Sequence, residues 1–169
     1  SIIMRVAAGL LLLVASVLGA APGARAGTPD WKYCAGGHKP GYDITGLDIS
    51  PFPAKDGVPL VVSLEAALAD ATLTSGTIDI LAYYSGLLLW EAQWQLCTVA
   101  DGGCPVGPGS FSGQASKMVP IFAPPGLYQI DIQVHAEGEE IACLTFPLNM
   151  VPPIAAAAAP DAAAVPWWE

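Results

Sequence analysis

The sequence predicts an all-β chain folded as an antiparallel sandwich, on three observations. Hydrophobic residues recur with period two, short strand-like runs are punctuated by Gly and Pro, and no long helical period is present. The 169 residues include 18 Gly and 16 Pro, concentrated in breaks such as "SPFPAKDGVP", "DGGCPVGPGS" and "FAPPG". Seven short strands separated by such turns fit two packed sheets better than any helical architecture.

Taken in order, a first strand fits Tyr42 to Ile49. In "PLVVSLEAALAD" the residues Leu60, Val62, Leu64, Ala66 and Leu68 face one way, with Ser63 and Glu65 opposite. An amphipathic helix competes there, because "LEAALAD" has helical propensity. The alternation and the β-branched start favour a strand. "SGTIDILAYY" places Ile78, Ile80, Ala82 and Tyr84 on one face, and "GLLLWEAQWQLC" does the same with Leu88, Trp90, Ala92, Trp94 and Leu96. "YYSGLLL" reads as the hairpin joining them. A strand is expected over Ser116 to Phe122, and another over Glu140 to Asn149. Between these, "GLYQIDIQVHAEG" turns Tyr128, Ile130, Ile132, Val134 and Ala136 inward and Gln129, Asp131, Gln133 and His135 outward.

The ends differ in composition from the middle. From Met4 the chain shows Arg5, an apolar run from Val6 to Leu18 and an Ala24-Arg25-Ala26 site, the parts of a secretory signal peptide. Residues 1–26 are therefore expected to be removed, and residues 27–151 to form one domain. Residues 152–169, "PPIAAAAAPDAAAVPWWE", read as an Ala/Pro-rich flexible tail. The mature chain keeps four lysines against fifteen acidic residues, a balance of −11. Such a charge repels phosphate backbones, so nucleic acid is not an expected partner. No polybasic cluster is present to hold an anionic membrane, so membrane contact is expected to be apolar and transient.

Four cysteines, Cys34, Cys97, Cys104 and Cys143, lie in the mature part. An even count in a secreted chain points to disulfides, with three pairings open. There is no C-x-x-C, and His38, in a loop, and His135, on a polar strand face, read as exposed side chains rather than metal ligands. No metal or cofactor is expected. G-x-S-x-G and H-E-x-x-H are both missing from the sequence, and Glu137, Glu139 and Glu140 read as a solvated hairpin, so no catalytic residues are assigned and no enzymatic activity is expected.

The inward faces carry bulky apolar groups and few charges. "VPIFAPPGLY" sets Val119, Ile121 and Phe122 beside three prolines. Prolines on a strand edge loosen pairing and can leave two sheets splayed, which makes an apolar slot suited to a lipid tail or sterol.

The order of motifs then becomes specific: "WKYC", "DITGLDISPFPAKDGVPLVVSLEA", "SGTIDILAYYSGLLLWEAQWQLC", "CPVGPG", and "KMVPIFAPPGLYQIDIQVHAEGEEIACLTFPLNMV". From Tyr33 to Val151 the chain resembles the ML (lipid-recognition) domain family. That family includes the Niemann–Pick type C lysosomal cholesterol-binding protein and phosphatidylglycerol/phosphatidylinositol transfer proteins. The resemblance implies a two-sheet antiparallel immunoglobulin-like β-sandwich with a lipid cavity between the sheets. It implies the pairs Cys34–Cys143 and Cys97–Cys104. In the chain-entropy model the short loop would then contribute about 2.5 kcal/mol and the long one roughly 4–5 kcal/mol. It also places the cavity mouth at Ile121 and Pro124, to which chemistry adds Leu87 and Phe122. Leu64, Ile80, Trp90 and Tyr128 are the expected interior contacts with lipid, together with Ile130, Ile132 and Phe146. The chain lacks the cysteines for a third, early disulfide carried by animal sterol-binding members, so phospholipid and sterol both stay open as cargo. The implied function is a lipid-binding and transfer protein of the secretory pathway, extracellular or in a vacuolar or lysosomal lumen, with a membrane-protein lipid acceptor as a further partner. The alternative is a secreted adhesion or receptor-accessory sandwich with a solid core.

Overall fold

The computed structural model describes residues 26–152, and the expected tail from residue 153 and the expected signal segment before Ala26 lie outside the described residues. Nine strands form two sheets. The first three are β1 (Lys32–His38), β2 (Tyr42–Ser50) and the two-residue β3 (Ala54–Lys55). Then follow β4 (Pro59–Leu68), β5 (Gly76–Tyr84), β6 (Leu87–Gln95) and a single helical turn α1 (Leu96–Val99). β7 (Gly109–Met118), β8 (Gly126–Ala136) and β9 (Glu139–Val151) complete the domain. One sheet has the order β1-β9-β8-β5-β6, with β3 pairing the end of β9, and the other has the order β2-β4-β7. All pairings between named strands are antiparallel except the short β3–β9 contact.

Period two places the core where the sequence predicts it. Leu60, Val62, Leu64, Ala66 and Leu68 of β4 are all buried, which settles strand over helix for this segment. They face Ile78, Ile80 and Ala82 of β5 and the whole expected inward set of β8, from Tyr128 to Ala136. On β9 the residues Ala142, Leu144, Phe146, Leu148 and Met150 share the inward face with their β8 partners. No polar or charged residue is fully buried among the described residues, so the two sheets meet mainly through hydrocarbon.

The structure corrects several expectations. The strand expected over Ser116 to Phe122 runs instead from Gly109 to Met118, and Pro120 to Pro125 form a loop because prolines supply no N–H to a ladder. The three prolines thus sit beyond the strand end and not on a strand edge. β1 and β3 raise the strand count from seven to nine. His38 closes β1 and is not in a loop: its ring stacks on Tyr33 at 4.1 Å and its Nε2 lies 2.8 Å from Asp43 Oδ1. On β6 the alternation breaks. The pairing steps from Ala82–Trp90 to Tyr83–Leu88, so Leu89 is the extra residue of a bulge and Leu88 is exposed rather than inward.

Cross-links gather at one end. Cys34–Cys143 joins β1 to β9, and Cys97–Cys104 closes the β6–β7 connection. These are the pairs that the resemblance implies. The Ile44 N–H donates to the Tyr33 hydroxyl at 2.8 Å, tying one sheet to the other. The β8–β9 turn uses Glu137 and Gly138 at φ 52° and 84°, a two-residue hairpin geometry that glycine favours. The Glu137 carboxylate accepts from the Thr74 N–H, the Thr74 hydroxyl and the Ser75 N–H at 2.8–3.1 Å. Lys39 pairs with Glu139 beside it.

Two outcomes follow. Replacing Cys97 and Cys104 together by Ser should lower unfolding free energy by about 2–3 kcal/mol, read by denaturant melts, with no free thiol in the parent protein. The bonds from Thr74, then Ser75, hold the Glu137 carboxyl below the usual carboxylate range. Its stabilisation is therefore present above the unfolded-state pKa and is lost as pH falls through the depressed folded value. The difference in Tm between the parent and Glu137→Ala should be present at neutral pH and close in acid; a gap that stays constant to low pH would contradict this role.

Candidate functional site

The two sheets do not close on each other equally along their length. At the end formed by the β5–β6 hairpin, the β7–β8 loop and the start of β8, a cavity of about 220 Å³ opens between them. One wall is cross-strand register: Trp90 opposes Ala82 on β5, and Ala82 opposes Ile130 on β8. The methyl of Ala82 between two large neighbours leaves room that a longer side chain would fill. Leu148 and Met150 of β9 extend the same wall, and Leu60 of β4 supplies the facing sheet. The β7–β8 loop closes over the top through Val119, Pro120, Phe122, Ala123 and Pro124.

No charged residue lines this cavity. Among the lining residues Tyr128 carries a hydroxyl, which donates to the Pro124 carbonyl at 2.8 Å, with the Tyr84 ring 5.1 Å from the Tyr128 ring. Burial, and then the neighbouring Tyr84, push the Tyr128 phenol up from its ordinary value. Tyr128 therefore stays neutral and acts as a hydrogen-bond donor, not as a base. Among the described residues no group of three or more His, Cys, Asp or Glu side chains is placed to hold a metal ion. The chemistry on offer is shelter for hydrocarbon, with a hydroxyl near the opening.

Of the side chains named from the sequence, Trp90, Phe122, Pro124, Tyr128 and Ile130 line the cavity together. Leu64, Ile80 and Ile132 lie deeper, around a void of about 10 Å³ with Trp94 and Val99. Phe146 is fully buried beside Ile130 in the β8–β9 pairing. Leu87 and Ile121 fall outside the lining, 67% and 79% exposed. The structure adds Leu89, Ala82 and Leu60, with Leu148 and Met150. Leu89 reaches the lining through the bulge, which period-two counting does not register. Leu148 and Met150 stand on the inward face of β9, inside the closing motif, where the inward residues expected from the sequence do not extend beyond Phe146.

A third void of about 20 Å³ lies near the opposite end, between Leu68, Phe111 and Val134. The three spaces mark a seam of incomplete packing along the inter-sheet plane. A wider depression of about 760 Å³ lies on the outer face of the larger sheet, lined by Lys32, Gln129, Asp131 and Thr145 among others. It is open, its lining mixes charged and apolar side chains, and Asp131 there already accepts from Thr145 at 2.6 Å and Gln129 at 3.2 Å. The interior cavity is the better candidate, because only it combines enclosure with an apolar wall.

The rim is apolar as well. Phe122 and Ile121 are each 79% exposed, and Leu87, Leu88, Leu89, Met118 and Leu127 are exposed around the same end. Clustered exposure of this kind marks an interaction surface.

Comparison with known proteins fits this geometry. A Dictyostelium discoideum protein provisionally named as a phosphatidylglycerol/phosphatidylinositol transfer protein is 29% identical over 125 residues, covering 69% of this chain and 81% of its own. The phosphatidylglycerol/phosphatidylinositol transfer protein of Pyricularia oryzae is 29% identical over 119 residues, covering 68% and 67%. In fold, the chain is similar to a Niemann-Pick type C2 protein from Japanese carpenter ant, with a TM-score of 0.54 at 16% identity over 72% of this chain and 98% of that one. At that identity the likeness bears on fold alone. The sequence profile of the ML domain matches residues 28–150, from the segment that pairs with β2 to the cavity wall on β9, and this chain belongs to the ML domain family.

Proposed function

We propose that this protein binds a lipid by its hydrocarbon in the cavity between the sheets and carries it between membranes without catalysing a reaction. The observation that carries this reading is a charge-free apolar cavity opening through an exposed apolar rim. Each methylene withdrawn from water there contributes about 0.8 kcal/mol. The names of the related transfer proteins support a phospholipid as cargo, and the ML fold leaves a sterol as the second candidate. With no charged side chain in the lining, the polar head stays at the mouth, where a membrane or a membrane-protein acceptor can take the lipid.

The cavity is smaller than the roughly 300–1,000 Å³ typical of small-molecule sites. Loading a whole acyl chain therefore requires the loop or the sheets to move, and the line of smaller voids behind the cavity gives the direction in which the seam would open. Non-directional apolar contacts permit such widening, since no buried polar side chain fixes the sheet spacing among the described residues.

The location belongs to the same proposal. Two disulfides suit an oxidising compartment, and residues 1–26 would direct the chain into the secretory pathway, towards the extracellular space or a vacuolar or lysosomal lumen. No helix of the described residues is long and apolar enough to cross a membrane. Residues 152–169 would form an appendage outside the lipid-binding domain.

Organic extraction of the purified protein followed by mass spectrometry should release a phospholipid or sterol. Ala82→Leu tests the cavity from the opposite side. In a solid core the larger side chain would cost about 1–3 kcal/mol through overpacking. In an open cavity it should leave Tm nearly unchanged and abolish lipid uptake. No lipid in the extract, with a strongly destabilised Ala82→Leu, would favour the solid adhesion or accessory module instead. At the rim, Phe122→Asp should slow vesicle-to-vesicle transfer of fluorescent phosphatidylglycerol several-fold while leaving Tm within a degree or two, because an exposed charge costs the fold little.

A further inference from the structure

Residues Pro120 to Pro125 cover the cavity, yet they are attached to the fold in an unusual way. Val119, just before them, is held on both sides: its N–H donates to the Val58 carbonyl at 3.2 Å, and its carbonyl accepts from the Gly57 N–H at 3.1 Å. Past that point Pro120, Pro124 and Pro125 supply no N–H. The Ala123 N–H is used inside the loop, on the Pro120 carbonyl at 3.1 Å. Among the described residues, the hydrogen bond that ties this loop back to the body is the one from the Tyr128 hydroxyl to the Pro124 carbonyl. Tyr128 is 2% exposed and stands on the cavity wall, while Ile121 and Phe122 at the loop tip are 79% exposed. The loop thus has a fixed hinge at Val119, a wetted tip, and one polar fastening that lies in the cavity itself.

Resting on the lipid-carrier reading, we propose that the Pro120–Pro125 loop is the door of the cavity and the Tyr128 hydroxyl its latch, exchanged onto an oxygen of the incoming lipid when the door opens. The exchange follows from the cost of unmade bonds. Lifting the loop returns the Pro124 carbonyl to water, which satisfies it. The phenol remains on a desolvated wall, where an unpaired donor is penalised. A lipid whose chain fills the space beside Ile130 and Leu148 brings its first polar atom to the mouth. An ester carbonyl or a hydroxyl there accepts from Tyr128 and replaces the lost partner. Pure hydrocarbon offers no such acceptor. The raised phenol pKa accords with a group that stays protonated and so remains a donor in both states. The latch therefore favours lipids with an acceptor oxygen next to the chain and holds the door shut without one. Tyr128 acts as a positioning and specificity residue, through a bond it can make to either partner.

Tyr128→Phe removes the hydroxyl and keeps the ring, and Tyr84→Phe removes a neighbouring phenol as the control. In lipid-free protein, methyl relaxation dispersion at Val119, Ile121 and Ala123 reads loop opening on the μs–ms scale. Tyr128→Phe should raise the open population about two- to tenfold, the worth of one hydrogen bond, and Tyr84→Phe should not. With lipid, release of phosphatidylglycerol to acceptor vesicles should quicken by a similar factor in Tyr128→Phe. The parent should also bind the diacyl ester more tightly than its dialkyl ether analogue by about the same factor, and Tyr128→Phe should lose that preference. Unchanged dispersion and unchanged release in Tyr128→Phe would overturn the latch. An ester preference equal in the two proteins would overturn the exchange onto lipid. A parent protein that carries neither lipid would remove the carrier reading, while the lipid-free dispersion still judges the latch by itself.

Discussion

Everything in this structure depends on two sheets that meet mainly through hydrocarbon, with the Tyr33–Ile44 hydrogen bond as a polar tie between them. The contact between β4 on one side and β5, β8 and β9 on the other is made by Val, Leu, Ile, Ala, Phe146, Met150 and one buried Tyr, with no fully buried polar residue among the described residues. Such contact is strong in sum and indifferent in direction. It holds the sandwich together without dictating the distance between its halves at every point. A polar network in the same place would have set that distance and closed the seam.

Both disulfides and several directional interactions lie at one end, while the other keeps the hydrogen bonds of Thr28 to Asp48, of Val119, and of Tyr128 to Pro124. Cys97–Cys104, the Glu137 carboxylate on Thr74 and Ser75, the Lys39–Glu139 pair and the Tyr33–Ile44 bond all lie towards the end where β5 begins and β8 finishes. Cys34–Cys143 adds a covalent tie between β1 and β9 on the same side of the sheet's midpoint. The opposite end has a proline-rich loop, a bulged hairpin strand and a ring of exposed apolar side chains. The larger cavity lies at the end without a disulfide.

Asp43, Asp70, Asp101, Glu137, Glu139 and Glu140 sit on turns or strand ends at the cross-linked end, and Asp48, Lys55, Asp56 and Lys117 lie at the other, but none of the residues lining the cavity is charged. A net acidic chain is repelled by anionic surfaces, and the exposed apolar side chains of the rim lie at the cavity end.

Much of this was legible in the residues. Alternation along "PLVVSLEAAL" and "LYQIDIQVHA" determined which side chains are buried, because a strand's period of two leaves no other choice once one face must be apolar. Trp90, Tyr128 and Ile130 meet in the cavity for that reason, while Phe122 and Pro124 reach it from the loop before β8. What alternation does not encode is where a strand slips by one residue or where two sheets fail to meet. The bulge at Leu89 arises from the pairing of β6 with β5, and it moves Leu89 in and Leu88 out. The exclusion of Leu87 and Ile121 from the lining is set by the hairpin tip and the loop tip projecting past the sheets. The room beside Ala82 exists only because Trp90 and Ile130 flank it across two strands, and the fastening of Pro124 by Tyr128 depends on a turn in three dimensions. The sequence by itself determined the class of fold and the inward faces, since both follow from local periodicity. The position of the cavity, its rim and its door were decided by tertiary structure, since each is a relation between residues brought together from different strands.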